Sequence, residues 1–587
     1  MFAPLTARLC WALVAWSSFC SPCATDSFAT PTAAATVRGD EQPFKALRAW
    51  LKLYEKGKID YRSRENIGKH SIAAKFDIRD KLGLGFPTWS GDLVAILDAL
   101  AKIDDAEAAR AIAEVAAIGL DDEEYTYAMA PYEVRRVGLE ALAQLKSDAA
   151  KEELAAGARG DWKSRKHGDA LRAAALLALG HIGDDKYRPV LVAGLADGDE
   201  IVRLHAIDAL ARLGGEDAAM ALIGVVEGET NPTVLVSAAK ALRTIYSGYL
   251  QRVAEADRAE QEAEAKKGVL SNEEKDAKPD AGAAEDAAAK KNKAARPDAP
   301  KSARLAVRAA IKALGRTNWR ADMVLIRLLD DFRTSESVPA LIAVLERFRD
   351  NPDDIKSGKL SGLLKYQVHE LLVSMTGAVF SAEQPDKWRV LWEREKDNLQ
   401  VATKHQGAGG TPKTSASGFA GIPVEGTRVV FVLDLSGSMQ APIDIGGGTE
   451  AMRIDYAKRE LLAAVDGLSE DAFFNLVTFN GNPEAEQWSK KLVSASKRNV
   501  GRFHKYVEKL RPNGGTNLWG GIAKGLSIKS LVFGNHYETT VDEVFILSDG
   551  APTAGEVIDP VEILRLVQEA NRYQDVRINT VFISSPL

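Results

Sequence analysis

The chain has 587 residues, of which 46% are apolar and 27% are charged, and its formal net charge is -6 at pH 7. This length exceeds what one hydrophobic core accommodates, so we expect several domains of a soluble globular protein. The mild acidic charge gives no sign of nucleic-acid binding, which usually shows as a basic stripe or domain. No stretch of about 20 apolar residues follows the N-terminus, so no internal membrane span is expected.

Residues 1–24 have the pattern of a cleaved signal peptide. Arg8 is followed by a short apolar run at 9–19 and by small residues up to Ala24, an order typical of export signals. We therefore expect export to the periplasm, the cell envelope or the medium. A lipoprotein attached through Cys23 and a cytoplasmic protein with an apolar N-terminus are the alternatives. All three cysteines lie in this segment, so cleavage would remove disulfide and thiolate chemistry from the mature chain.

The first half of the chain contains an internal repeat. Segments 171–195 and 202–226 align, and their Ala-Leu pairs at 178–179 and 209–210 are 31 residues apart. A period near 30 built from two short amphipathic helices predicts an α-solenoid. With the lead-in DEIVR at 199–203, the segment resembles HEAT or armadillo-like repeats. An irregular helical bundle is the alternative.

The repeats are interrupted and then closed. Residues 251–302 contain 11 Lys/Arg and 12 Asp/Glu but few large apolar side chains, which predicts a helical extension followed by a disordered spacer. Helical periodicity resumes and ends at 375–399, where Trp388 and Trp392 share a helix face and are expected to cap the last repeat. The Gly, Ser and Pro content of 401–426 indicates an interdomain linker.

The C-terminal part alternates strand and helix patterns. Apolar runs at 428–433, 471–480, 541–550 and 577–584 predict strands, and 451–468 has helical periodicity. This alternation is typical of a doubly wound α/β sheet, which is Rossmann-like and binds ligands beyond the carboxyl ends of its strands.

Three loops after these elements carry oxygen donors. Asp434, Ser436 and Ser438 lie in FVLDLSGSM, Thr516 in NGGTNLWGG, and Asp549 in FILSDGAPT. Two carboxylates and three hydroxyls without imidazole or thiolate suit Mg²⁺, Mn²⁺ or Ca²⁺ rather than zinc. We therefore predict a metal site from these five residues.

This pattern resembles the metal-ion-dependent adhesion site (MIDAS) of von Willebrand factor A (vWA) domains, over roughly residues 427 to 587. The resemblance implies that Ser436, Ser438 and Thr516 bind the metal directly and that both aspartates bind mostly through water. It also implies an open metal position for an Asp or Glu of a protein partner. Such domains usually end in a further helix, so the sequence is either truncated or the domain is unusual.

The sequence thus predicts a multidomain protein in which an all-α solenoid precedes an α/β domain. The expected order is a signal peptide, a linker, HEAT-like repeats, the charged insertion, further repeats with a cap, a second linker and the vWA domain, at 1–24, 25–42, 43–250, 251–302, 303–400, 401–426 and 427–587.

No catalytic constellation stands out. His369-Glu370 lacks the second histidine of H-E-x-x-H, and no G-x-x-x-x-G-K-[ST] loop occurs. We therefore expect an exported, non-enzymatic protein-binding protein, similar in arrangement to bacterial proteins that join such repeats to an A domain. An assembly adaptor in the cytoplasm or periplasm is the alternative, and a metal-assisted hydrolase is a third. The sequence leaves open the partner, the metal, the solenoid ligand and the oligomeric state.

Overall fold

The computed structural model describes most of the chain, and residues 43–587 form one compact unit. Of the other unit, Met1–Gln42, it describes only the first two residues of a helix, so the predicted signal peptide lies outside the described residues. Parts of the charged insertion and of the second linker lie outside them too. The described residues are 41–54, 89–118, 130–162, 168–273, 297–402, 418–444, 450–528 and 540–583.

The N-terminal two thirds of the described chain is helical, as predicted. Its helices are α1 Glu41–Tyr54, α2 Trp89–Ile103, α3 Ala106–Ala116, α4 Ala130–Leu142, α5 Asp148–Arg159, α6 Gly168–Ile182, α7 Arg188–Gly194, α8 Glu200–Leu213, α9 Gly215–Gly228, α10 Pro232–Glu273, α11 Ala303–Ala313, α12 Trp319–Asp331, α13 Val338–Asp350, α14 Asp353–Ser357, α15 Gly362–Thr376 and α16 Pro385–Glu395. We call α1–α16 the helical array.

Small residues let neighbouring helices of the array approach closely. A Cβ atom added to Gly180 in α6 would lie 2.4 Å from the Cα atom of Ala209 in α8, closer than any unstrained packing allows. Leu179 and Leu210 beside them are buried. The alanine and glycine positions of the repeat therefore set the spacing between helices, and the leucines fill the seam.

The array ends in an aromatic cluster. Trp388 in α16 is buried and packs edge-on against Phe380, with ring centroids 5.2 Å apart. Trp392, one turn later, is partly buried against the same core. The tryptophan pair thus covers the end of the array with apolar surface.

The C-terminal domain is a mixed sheet between helices. Its strands follow the order β10-β9-β3-β6-β7, with β8 also paired to β6; β10, β9, β3 and β6 are parallel, and β7 and β8 are antiparallel edge strands. Helices α17 and α18 cover one face, and α19 and α20 cover the other. The elements are β1 Gly418–Phe419, β2 Ile422–Pro423, β3 Arg428–Asp434, β4 Pro442–Asp444, β5 Glu450–Met452, α17 Arg453–Asp466, β6 Phe473–Phe479, β7 Glu486–Gln487, β8 Val493–Ser494, α18 Lys497–Val507, α19 Leu518–Gly525, β9 Glu543–Ser548, α20 Pro560–Ala570 and β10 Arg577–Phe582.

The core of the α/β domain includes a residue from 401–426, the segment interpreted as a linker. Phe419 in β1 is buried, and its ring lies 5.4 Å from Phe431 in β3 and 5.6 Å from Phe545 in β9. A single aromatic residue in a Gly- and Ser-rich segment is a weak sequence signal. Its burial places β1 in the core of the α/β domain.

The helical array contacts the α/β domain at the amino ends of the parallel strands. Ser361, which caps α15, donates to the buried carboxylate of Asp542 just before β9 (2.6 Å). Arg320 in α12 donates to the carbonyl oxygen of Val541 (2.6 Å). Arg428 at the start of β3 donates to the carbonyl oxygen of Lys356 (2.8 Å). The carboxyl ends of the strands therefore point away from these contacts.

Charged side chains fasten the turn between α20 and β10 to the array. Asp575 accepts from Arg327 in α12 (2.9 Å) and pairs with Lys240 in α10 (3.2 Å). Burial alone would raise the pKa of Asp575, but Lys240 and Arg327 together hold that pKa below its usual value. The turn is thus bound to two helices by one ionised carboxylate.

We expect Asp575→Asn to lose about 2 kcal/mol of unfolding free energy at pH 7, because two charge-assisted contacts weaken. Asn also tolerates the left-handed backbone at this position, where φ is 48°. Since the folded-state pKa is lowered, the stabilisation is present above the unfolded-state pKa of about 3.9 and is lost as pH falls through the folded-state value. Urea unfolding at pH 7 and near pH 3 measures this, with the exposed Asp386→Asn as control. A wild-type advantage that grows on acidification would contradict it.

Among the described residues, no helix combines the length and apolarity that crossing a membrane requires.

Candidate functional site

The first loop of the site begins at the end of β3. This strand is buried along nearly its whole length, and its last residue, Asp434, is fully buried. Asp434 accepts from the backbone N–H of Ser436 (2.7 Å) and from the hydroxyl of Ser548 (2.6 Å). Burial raises the pKa of Asp434, Asp549 raises it further, and the bonds from Ser436 and Ser548 oppose that rise.

Four of the five predicted metal ligands are joined by short contacts. The hydroxyl oxygens of Ser436 and Ser438 are 3.0 Å apart, and Ser438 donates to Oδ1 of Asp549 (2.8 Å). Asp549 directly follows β9, the neighbour of β3 in the sheet. The parallel order of these strands therefore brings the first and third predicted segments together.

The loop that carries Thr516 packs against the serine loop through its backbone. Gly437 N–H donates to the carbonyl oxygen of Gly514 (2.9 Å), and Asn513 N–H donates to that of Leu435 (2.7 Å). Gly514 has φ of 71°, a conformation that favours glycine. The second loop is thus held beside the first by main-chain bonds.

Thr516 is nearly buried and keeps its hydroxyl available. Its N–H donates to Thr553 Oγ1 and its carbonyl oxygen accepts from Thr553 N–H, both at 2.9 Å. Its side chain makes no hydrogen bond with the described residues, and it does not contact the other four predicted ligands through such a bond. The Thr516 hydroxyl is therefore held in place by its backbone and is available to bind a ligand.

Asp549 has a cationic neighbour that the sequence did not reveal. Arg453, the first residue of α17, donates to Oδ2 of Asp549 (2.7 Å), and the carboxylate is buried. The two residues are 96 positions apart, so only the fold brings them together. Arg453 balances the charge of Asp549 and would also repel a cation bound beside it.

Three further residues hold the loops of the site in place and are not among the predicted ligands: Asn517, Ser548 and Thr553. Asn517 caps α19 by accepting from Gly520 N–H (3.0 Å), and its amide donates to the carbonyl oxygen of Asn482 (2.9 Å). An Asn before a helix is a known cap signal, and Ser548 is a polar end to an apolar strand. The role of Thr553 has no such local signal.

The donor set fits a divalent cation with oxygen ligands. Within the described residues, no cluster of three or more His, Cys, Asp or Glu side chains is placed to hold a metal, so a cation here depends on the hydroxyls. Ser436, Ser438 and Thr516 would hold it, with Asp434 and Asp549 adding charge. The arrangement suits hard cations such as Mg²⁺.

We expect Arg453→Met to lose about 2 kcal/mol of stability in metal-free buffer, because the buried Asp549 loses its charged partner. The same change should raise Mg²⁺ affinity several-fold, since a like charge leaves the cation's surroundings. Thermal unfolding with and without Mg²⁺, together with calorimetric titration, measures both effects. Arg459→Met, an exposed change in the same helix, is the control. Weaker Mg²⁺ binding in a folded Arg453→Met protein would count against this account.

Comparison with known proteins agrees with both halves of the architecture. A family model described as HEAT repeats matches residues 165–243. A second model, described as von Willebrand factor type A domain, matches residues 427–585. The two matches fall on the repeat segment and on the α/β domain.

Curated relatives match about a quarter of this chain. Inter alpha-trypsin inhibitor, heavy chain 4, of Mus musculus is 32% identical over 153 residues, which are 25% of this chain and 15% of that protein. Inter-alpha-trypsin inhibitor heavy chain H1 of Sus scrofa is 32% identical over 147 residues, with 25% and 15% coverage. The chain therefore spans about 15% of the length of these relatives.

One solved structure, described as von Willebrand factor type A from Catenulispora acidiphila, is 22% identical and has a TM-score of 0.21. It covers 27% of this chain and 33% of that chain. The two family models agree with the observed helices and sheet. The chain therefore carries HEAT repeats at residues 165–243 and a C-terminal von Willebrand factor type A domain at residues 427–585.

Proposed function

We propose that this chain is an exported, non-enzymatic protein-binding protein whose vWA domain recognises a partner carboxylate through a divalent cation. The observation that carries the proposal is the cluster of oxygen donors from three loops at the carboxyl ends of the parallel strands. Asp434, Ser436, Ser438 and Asp549 share a chain of hydrogen bonds there, and the loop of Thr516 packs against them. The vWA family match and the inhibitor heavy-chain relatives support a role in protein interaction.

A Mg²⁺ or similar ion bound by these residues would supply an electrophilic position for a carboxylate oxygen of the partner. Three of the five donors are neutral hydroxyls, which leave much of the positive charge in place. Ser548 and the N–H of Ser436 orient Asp434, and Arg453 shares the charge of Asp549. The protein thus fixes its donors before binding, which lowers the cost of ordering them.

The helical array would present the site as a scaffold. Its contacts lie at the amino ends of the strands, at residues such as Val541 and Asp542. A strand of six residues spans about 20 Å, so the metal loops lie at the far edge of the sheet. A partner could therefore reach the metal loops while the array holds a second contact.

An assembly adaptor stays the alternative, and the N-terminus distinguishes the two. Export predicts that the mature protein begins near residue 25, which N-terminal sequencing of protein from the source cells measures. A mature chain that retains residues 1–24 would favour the adaptor. Hydrolysis has little support at His369, because its imidazole is buried and bonded to the carbonyl oxygen of Phe380 (2.7 Å).

The test is retention of a partner by residues 25–587 from extracts of the source cells, in Mg²⁺ and in EDTA. Asp434→Ala removes the buried carboxylate of the first loop, and Asp471→Ala removes an exposed one from the same domain. The proposal predicts a partner that is held in Mg²⁺ by the wild type and by Asp471→Ala. The same partner should be lost in EDTA and with Asp434→Ala. A partner that is retained both in EDTA and by Asp434→Ala would overturn metal-dependent recognition.

A further inference from the structure

Helix α18 presents a row of cations on one face. Arg498, Arg502 and Lys505 are spaced at i, i+4 and i+7 in α18, which places them on one side of the helix, and Lys509 follows in the turn after Val507. All four are exposed, whereas Phe503 on the opposite side is buried. None of the four forms an ion pair with any residue the structure describes. We call these four residues the basic stripe.

The surroundings of the basic stripe are also positive. Residues 488–512 contain eight Lys/Arg and one Glu, a net charge of +7 in a chain whose net charge is -6. Glu508 is the acidic residue of this segment, Glu486 lies near Tyr506, and Asp466 is engaged by His504 (2.8 Å). The stripe is therefore an uncompensated positive surface that the average composition conceals.

The stripe leads into the candidate metal site. After α18 the chain passes Leu510, whose carbonyl oxygen accepts from Lys458 (2.8 Å), and Pro512, whose carbonyl oxygen accepts from Gln440 (2.9 Å). Asn513 then bonds to Leu435 in the serine loop (2.7 Å). Lys509 is four residues before Asn513, so only a short stretch of chain separates the end of the stripe from the serine loop.

We propose that the partner is an acidic protein segment that places one carboxylate at the metal site and further carboxylates along the basic stripe. This inference rests on the proposed function, because it assigns a chemistry to the same partner. From Arg498 to Lys505 the helix rises about 10 Å, the length of about three extended residues. A short run of Asp and Glu matches both sites, since carboxylates bind a divalent cation and also form ion pairs with the Lys and Arg side chains of the basic stripe.

A fluorescein-labelled octaglutamate peptide tests the inference, titrated with the full chain in Mg²⁺ and followed by anisotropy. The triple variant Arg498→Ser, Arg502→Ser, Lys505→Ser should bind roughly tenfold more weakly, since each exposed ion pair contributes modestly. Three exposed lysines of the array provide a charge-matched control, Lys102→Ser, Lys312→Ser, Lys387→Ser, which should match the wild type. Because Arg502 lies over the Trp488 ring at 5.9 Å, Lys505→Ser with Lys509→Ser serves as a second variant that spares this contact.

EDTA and Asp434→Ala separate the two proposals. If the peptide needs Mg²⁺ but both stripe variants bind like the wild type, the stripe inference is overturned and metal-dependent recognition stands. If the stripe variants lose binding while EDTA and Asp434→Ala change nothing, the proposed function fails, and one ligand spanning both sites fails with it. Absence of peptide binding, or tighter binding of a single-stranded DNA 12-mer or of phosphatidylserine vesicles, also overturns the inference. The inference is supported if the stripe variants bind the peptide more weakly and if EDTA and Asp434→Ala also weaken binding.

Discussion

Asp542→Ala is expected to destabilise the folded chain by about 3–5 kcal/mol, the largest stability effect that the structure predicts. The carboxylate is fully buried and accepts from Ser361 Oγ (2.6 Å), from Thr427 N–H and Oγ1 (3.0 and 3.1 Å) and from Arg428 N–H (2.8 Å). Alanine would leave these four donors without their acceptor around a fully buried position. Equilibrium urea unfolding followed by circular dichroism measures the change.

Two graded variants check the reason for that effect. Asp542→Asn keeps one acceptor oxygen and should lose less than the alanine variant. Ser361→Ala removes one donor and the cap of α15, so a loss of about 1 kcal/mol is expected. If Asp542→Ala cost less than Ser361→Ala, the carboxylate would not be the link between the array and the sheet.

Asn517→Ala is expected to weaken Mg²⁺ binding roughly 10- to 100-fold, the range for residues that orient metal ligands. Asn517 is adjacent to Thr516 and ties its own helix to the loop at 482–483, because it accepts from Gly520 N–H and donates to the carbonyl oxygens of Asn482 and Pro483. Gly555 lies so close that a Cβ there would be 2.0 Å from Asn517 Oδ1. Loss of the amide would free the Thr516 loop. Calorimetric Mg²⁺ titration gives the affinity.

Asn499→Ala is the matched control for Asn517→Ala. The Asn499 amide donates to the carbonyl oxygen of Ser494 (3.0 Å), away from the metal loops. Both variants should lose stability, but Asn499→Ala should keep wild-type Mg²⁺ affinity. Equal Mg²⁺ affinities in the two variants would show that Asn517 has a structural role only.

The central strands could be predicted because their sequences carry the physical signal directly. Strands β3 and β9 each contain a continuous apolar run, at 429–433 and 544–547, and the structure buries these runs, as parallel strands require. Because parallel strands end at the same edge of a sheet, their sequences also predict that Asp434 and Asp549 lie close together. Phe419 could not be placed in this way, because one aromatic residue among glycines and serines has no periodicity.

The contacts between the array and the α/β domain were not predictable from local sequence. The local sequence predicts ordinary surface positions for Lys240, Arg327 and Asp575. These residues meet only because the α/β domain packs against the array. Arg453 beside Asp549 was missed for the same reason. The positive charge of residues 488–512 is concealed by the net charge of -6 of the whole chain.

Mg²⁺ titration of residues 25–587 tests the central claim most directly, because it asks whether the three loops form a cation site without a partner. The account predicts one Mg²⁺ bound per chain by the wild type and by Asp471→Ala, and no measurable binding by folded Asp434→Ala. A folded wild type that binds no Mg²⁺, Mn²⁺ or Ca²⁺, or an Asp434→Ala protein with undiminished affinity, would contradict it.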